Sequence, residues 1–364
     1  MASLRVPVPA DYLLWRDVCS YGYFLLAPNR WHPTLATFTR PLVLSEGPVA
    51  VRLRQRGTER EPFARACGED LRVELSRTLS RPERGELRAQ LARMLRLDES
   101  ESLIAAFHAR DPRWKASGRG RLFRSPTLFE DVIKTVTSCN VQWPGTVQMN
   151  IRLCEVAGDA APEGSRRAAA HARQAAASSR PAADKPGARV PPVRAFPRAG
   201  RLSRVRPSML RARCRVGYRD ERIVALAKLF ATGAIHELRL EDPSLNDDEV
   251  FARLKELPGV GPYAAANIMQ LLGRYARLPL DTESVRHGKN ILGFTGSSRR
   301  IMDLVDEHFA PFGDQAFRSY WFELWEFYES KRGPSWTWER DETGSFFTAA
   351  QLKPQTGNPS SARA

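Results

Sequence analysis

Residues 257–281 read LPGVGPYAAANIMQLLGRYARLPLD, and the rest of the chain is organised around them. The turn at 257–261 carries two glycines, Gly259 and Gly261, where a side chain would obstruct a close approach. Ahead of it, Val250, Leu254 and Leu257 recur at helical spacing over residues 247–256. After it, Pro262 suits a first helical position, because its missing N–H is not needed there. Ala264, Ala265, Ala266, Ile268, Met269 and Leu272 then predict a helix with a small-residue face, ended by Gly273. Two helices joined in this way form a helix–hairpin–helix, which aims the free N–H groups of its second helix at a phosphate. Gly259, Gly261 and Tyr263 are the residues placed for that contact.

Downstream, the apolar run Pro279-Leu280 ends in a carboxylate, Asp281. At this point the chain resembles the helix–hairpin–helix (HhH-GPD) superfamily of DNA glycosylases, whose signature is a hairpin of the type LPGVG, a loop and a catalytic aspartate. In layout it is similar to the 8-oxoguanine and 3-methyladenine types. The resemblance implies a base-excision repair enzyme that flips a damaged or mismatched base from double-stranded DNA and hydrolyses its N-glycosidic bond. Asp281 is then the catalytic carboxylate, with Glu283 and Asp242 as weaker alternatives. Asp281 also reads as a helix N-cap ahead of Val285, and the two roles agree, since a cap fixes the carboxylate.

Two further segments carry the resemblance. The run from Ser138 to Cys154 interrupts one helix and starts another, and it matches the 8-oxoguanine enzymes without a gap. It implies that Asn140 fills the space left by the extruded base, with Gln142 beside it; a short amide can bond the orphaned partner base. An alternative role for Asn140 is a helix cap. Where those relatives place one of two arginines that read an orphan cytosine, this chain has Gly145. The segment Gly217-Tyr218-Arg219 is similar to the part that carries their second reader, which gives Tyr218 a wedge role and Arg219 a reading role. Relatives with lyase activity have a lysine two residues past the second hairpin glycine; here that residue is Tyr263. The expectation is a monofunctional hydrolase. A noncatalytic DNA-binding protein and a bifunctional glycosylase/lyase are the alternatives.

Composition agrees with a polyanionic partner: net charge +15 and a pI near 10.1. Eleven Arg or Lys against three acids fall within residues 157–206, so much of the excess sits in one Ala-, Arg- and Pro-rich insert. Mean hydropathy is −0.41, with no apolar run of membrane-spanning length and no apolar core of a leader near the start, which predicts a soluble, intracellular, DNA-associated monomer. The five cysteines show no CxxC pair, and none follows Cys214, where endonuclease III relatives carry an iron–sulfur cluster. No cofactor or metal is expected, and no RNP-type strand suggests RNA.

The expected fold class is α+β, an N-terminal antiparallel β domain followed by a mostly α-helical HhH-GPD domain. Residues 49–55 and 71–75 alternate apolar and polar with period two, and the run at 21–26 is also strand-like. The predicted divisions are 1–100 (sheet domain), 101–156 (first helical part), 157–207 (disordered basic insert), 208–341 (hairpin and catalytic segment) and 342–364 (flexible tail). Arg52, Arg54 and Arg56 read as the wet face of the sheet, and the aromatic cluster around Trp321 and Trp325 as packing.

Overall fold

The computed structural model describes residues 2–56, 67–162, 193–242 and 244–340. Strands β1 (Ala2–Val6), β2 (Arg30–His32), β3 (Thr37–Leu44), β4 (Gly47–Gln55) and β5 (Leu71–Leu75) form one sheet in the order β1-β5-β4-β3-β2. Every neighbouring pair is antiparallel. The period-two pattern of β4 does what it predicts: Val49, Val51 and Leu53 are buried while Arg52 and Arg54 lie on the half-exposed face. Arg52 faces Glu74 across the strands at 3.6 Å, and Arg56 is exposed beyond the strand end.

The run at 21–26 is not a strand. Gly22–Leu25 is a 3-10 turn, with Phe24 N–H donating to the Tyr21 carbonyl (3.1 Å) and Leu26 N–H to that of Tyr23 (3.0 Å). All six residues are buried, and a continuous apolar run has no period by which to tell strand from buried turn.

Helix α1 (Leu14–Val18) lies between β1 and β2, and α2 (Arg81–Leu95), α3 (Glu101–Arg110), α4 (Leu128–Ser138) and α5 (Trp143–Ala157) follow the sheet. Past the insert come α6 (Ala199–Leu202), α7 (Pro207–Met209), α8 (Asp220–Ala231), α9 (Glu237–Glu241) and α10 (Asp247–Lys255). The chain finishes with α11 (Pro262–Leu271), α12 (Thr282–Asn290), α13 (Ser298–Phe309) and α14 (Ala316–Arg332). Starts are capped as the sequence dictates: Ser80 makes a capping box with Glu83, and Thr127 accepts from the Glu130 N–H.

Two hydrophobic cores result. One joins the sheet (Phe38, Val51, Leu53) to α2, α13 and α14 through Leu91, Phe309, Phe317 and Trp325. The other joins α4, α5, α8, α10 and α11 through Ile133, Leu153, Ile223, Leu254 and Ile268. The first hundred residues therefore share their core with the C-terminal helices. Helix α11 lies at the seam: Ala264, Ala265 and Ile268 face the second core and Leu271 the first. Two buried arginines fix its end, Arg96 donating to the Gln270 carbonyl (2.7 Å) and Arg124 to that of Leu271 (2.8 Å). These are carbonyls a helix C-terminus leaves free, and cations favour that end.

The described flanks of the predicted disordered insert are ordered, contrary to the expectation from composition. Ala161 N–H donates to Val193 and Ala195 N–H to Asp159, so both flanks meet, and Phe196 and Leu202 are buried in the second core. Two large apolar anchors are enough to order residues 193–207, which an average over fifty residues conceals. Residues 163–192 and the predicted tail at 342–364 lie outside the described residues. Among the described residues, no helix is long and apolar enough to cross a membrane.

Candidate active site

Asp281 sits at the seam between the two cores, as the N-cap of α12. Its Oδ1 accepts from the backbone N–H groups of Glu283 (2.8 Å) and Ser284 (3.2 Å), and the Ser284 hydroxyl accepts from the Asp281 N–H (3.2 Å). The capping reading is met, and the two N–H groups fix the carboxylate in place. Burial pushes the Asp281 carboxyl up to about 6; the two N–H groups pull it down and Glu283 pushes it up. At neutral pH the group is ionised, and it is a stronger base than a surface aspartate.

Tyr263, in the first turn of α11, lies close enough to that carboxylate for each group to shift the ionisation of the other. Burial, then the charge of Asp281, hold its phenol well above the usual tyrosine range, so it stays neutral. Three residues that sequence reasoning did not single out complete the surroundings. Tyr21 arrives from the sheet unit and donates to Asn267 Oδ1 at 3.2 Å. Tyr320 bonds Ser284 Oγ at 2.9 Å, behind the cap. Tyr21 also packs on Trp321, ring centres 4.6 Å apart, so one tryptophan of the C-terminal cluster borders the site while Trp325 is buried. Asn267 was within reach of the sequence, being one turn past Tyr263 on the same helix face; Tyr21 and Tyr320 carry no local signal.

The hairpin turn behaves as its glycines require. Gly259 has φ +81, and a Cβ there would come within 2.7 Å of Arg222 Cδ. Gly261 is exposed, caps α11 without a side chain, and would have open space around a Cβ. The N–H groups of Tyr263 and Ala264 lie in the first turn, where no intrahelical carbonyl reaches them. Arg222, exposed beneath this turn and over the Tyr218 ring at 5.0 Å, is a cation that sequence reasoning missed.

Asn140 and Tyr218 come together although 78 residues separate them: Asn140 Nδ2 donates to the Tyr218 hydroxyl at 3.4 Å. Both are exposed, Tyr218 by 49 %. Asn140 is not a helix cap; it stands between α4 and α5 with φ +49. Gln142 is the exposed N-cap residue of α5, without a side-chain cap bond. Arg219 is placed differently from its expected reading role, buried with its guanidinium turned onto backbone carbonyls.

The alternative acids are engaged elsewhere. Glu283 bonds Arg286 (2.9 Å) and Tyr328, and Asp242 is exposed and bonded by Ser244. Lys255 and Lys289 are exposed, and Lys134 is buried against Glu130 at 2.6 Å. All five cysteines are free, and among the described residues no cluster of three or more His, Cys, Asp or Glu is placed to hold a metal.

No family model matches the sequence, and no curated protein matches it. Solved structures do. The 3-methyladenine DNA glycosylase from Archaeoglobus fulgidus is similar with a TM-score of 0.60 at 18 % identity, over 90 % of this chain and 98 % of that one. The apo 8-oxoguanine glycosylase/lyase of Clostridium acetobutylicum is similar with a TM-score of 0.56 at 21 % identity, over 88 % and 94 %. The same bacterium's enzyme in complex with duplex DNA carrying cytosine opposite 8-oxoguanine gives 0.54 at 19 %, over 85 % and 93 %. From the sheet through the hairpin to the last helix, this chain has the fold of the helix–hairpin–helix DNA glycosylases.

Proposed function

We propose that this chain is a monofunctional DNA glycosylase of base-excision repair. The observation that carries the reading is at the seam: a buried, doubly capped carboxylate, Asp281, beside which the hairpin helix places a phenol, Tyr263, rather than an amine. The partner is double-stranded DNA containing a damaged or mismatched base. Hairpin N–H groups hold a phosphate beside the lesion, while Asn140 and Tyr218 enter the space the base leaves.

In the reaction the C1′–N bond breaks with its electron pair going to the base. Positive charge then builds on the sugar, and the Asp281 carboxylate stabilises it at short range in a site of low dielectric. Water attacks C1′ and gives its proton to Asp281, which the raised basicity favours. The neutral Tyr263 phenol beside it offers no amine to attack C1′.

Two expected results follow from this chemistry. Duplexes carrying hypoxanthine, uracil, a G·T mismatch, 8-oxoguanine or an alkyladenine should include one whose base is released, with strand cleavage only after alkali. Release from none of them, with lesion binding intact, would favour the noncatalytic DNA-binding reading. For the duplex that is cut, the single-turnover rate should fall tenfold per pH unit below about 6, because protonation removes the carboxylate charge. A rate level from pH 7 down to pH 5 would remove Asp281 from the rate-determining step.

A further inference from the structure

Behind Asn140 and Tyr218 lies an arginine that does not face outward. Arg219 is 6 % exposed, at the start of α8. Its Nε donates to the Val136 carbonyl at 3.1 Å and its Nη1 to that of Val216 at 3.3 Å. Its Nη2 donates to the carbonyls of Cys139 and Asn140, the latter at 3.4 Å. Each guanidinium nitrogen is thus bonded to backbone, and the four carbonyls belong to the last turn of α4, the turn after it and the turn before α8. The guanidinium also lies over the Tyr218 ring at 4.5 Å.

This arrangement addresses a local problem. Asn140 adopts φ +49 and Gly217 φ +59, so both exposed turns are bent into the left-handed region. The Val136 carbonyl lies in the last turn of α4, where helical partners run out. One cation bonded to both turns satisfies the carbonyls and sets the Asn140 amide against the Tyr218 hydroxyl. Reading a base requires the guanidinium fork to face the base edge. Turning Arg219 outward would leave buried carbonyls unpaired, which is costly.

Resting on the glycosylase reading above, we infer that Arg219 is a positioning residue: it clamps Asn140 and Tyr218 into one wedge and does not read the base opposite the lesion. The first turn of α5 supplies no substitute. Gly145 stands there, and a Cβ at that position would come within 2.6 Å of Val141 Cγ2. The wedge therefore enters the stack whichever base remains.

The test uses the full chain with duplexes containing a tetrahydrofuran abasic analogue opposite A, C, G or T. No base has to be extruded from such a site, so differences in Kd report the contact with the orphan base alone. Wild type should bind all four within about threefold, less than one bidentate base contact would give. Arg219→Lys and Arg219→Gln, measured at a temperature where circular dichroism shows them folded, should weaken all four by a common factor on the order of tenfold. Lys, which still reaches some of the carbonyls, should lose less than Gln. A wild-type preference above about tenfold for one orphan base, abolished by Arg219→Lys, would make Arg219 a reader and overturn the inference. Unchanged Kd values in the folded variants would overturn it as well, leaving Arg219 a role in stability alone. Wild type binding the abasic duplexes no better than undamaged DNA would instead count against the glycosylase reading, and the wedge would fall with it.

Discussion

Asp281→Asn should abolish base release, by about a thousandfold or more, and at the same time make the protein harder to melt at pH 8. The two effects share one cause. Asparagine keeps an oxygen for the Glu283 and Ser284 N–H groups, so the cap and the start of α12 survive. What disappears is a negative charge held where burial opposes it. The folded-state pKa, about 6, lies above the unfolded value, so the folded protein binds the extra proton. The native state is therefore favoured most below the unfolded pKa, and that advantage is lost as pH rises through 6. Above that pH the ionised aspartate costs about 3 kcal/mol, which the amide avoids. Thermal melts at pH 8 and pH 4 check this: the variant should melt higher at pH 8, and the gap should close at pH 4. A variant that loses activity because it unfolds would mark Asp281 as a structural cap and leave its chemical role without support.

The largest loss of stability should come from a cluster away from the chemistry. Glu130, in the first turn of α4, bonds Arg40 of β3 at 2.9 Å and Lys134 at 2.6 Å, and all three are nearly or fully buried. Burial pushes the Lys134 ammonium below its usual range, and Arg40 pushes it the same way while Glu130 pulls it back up. Glu130→Ala would leave two cations in a dry site, at a cost of about 3–5 kcal/mol. Arg40 keeps the Asn29 side chain at 2.8 Å, whereas Lys134 keeps only the longer bond to Ser125 Oγ at 3.3 Å, so Lys134 is the more exposed to loss of its partner. Lys134→Met in the Glu130→Ala background should accordingly restore part of the stability. Urea melts of the three proteins at pH 7 read both effects. A cost below about 1 kcal/mol for the single variant would mean that water reaches the cluster. The cluster bears on function because α4 carries the Asn140 turn at its other end.

The parts legible in the sequence are those fixed by short-range rules. Two glycines and a proline between apolar helices specify the hairpin, Asp-Thr-Glu-Ser specifies a cap, and alternation specifies β4 and β5. The Asn140 and Tyr218 segments were recognisable separately, but their contact depends on tertiary packing. Arg219 shows the limit most clearly. Its type and position imply a cation facing DNA, yet three backbone carbonyls from the distant end of α4, with that of nearby Val216, turn it inward, and nothing in the residues around 219 encodes the distant three. Tyr21 likewise reaches Asn267 across 246 residues. The edge strands β1 and β2 escaped because each is short and pairs on one side only, with β5 and β3. Phe196 and Leu202 escaped because their neighbours are small or basic.

The central claim is hydrolysis by a carboxylate with no amine at C1′, and borohydride trapping tests it most directly. Wild type and Tyr263→Lys would be incubated with the lesion duplex that is cut, with and without borohydride, and resolved on denaturing gels. Wild type should release the base, leave the abasic strand intact and form no protein–DNA adduct. Tyr263→Lys, which places an amine beside Asp281, should form one. A borohydride-dependent adduct with the wild-type protein would show that an amine attacks the sugar, and would contradict the account.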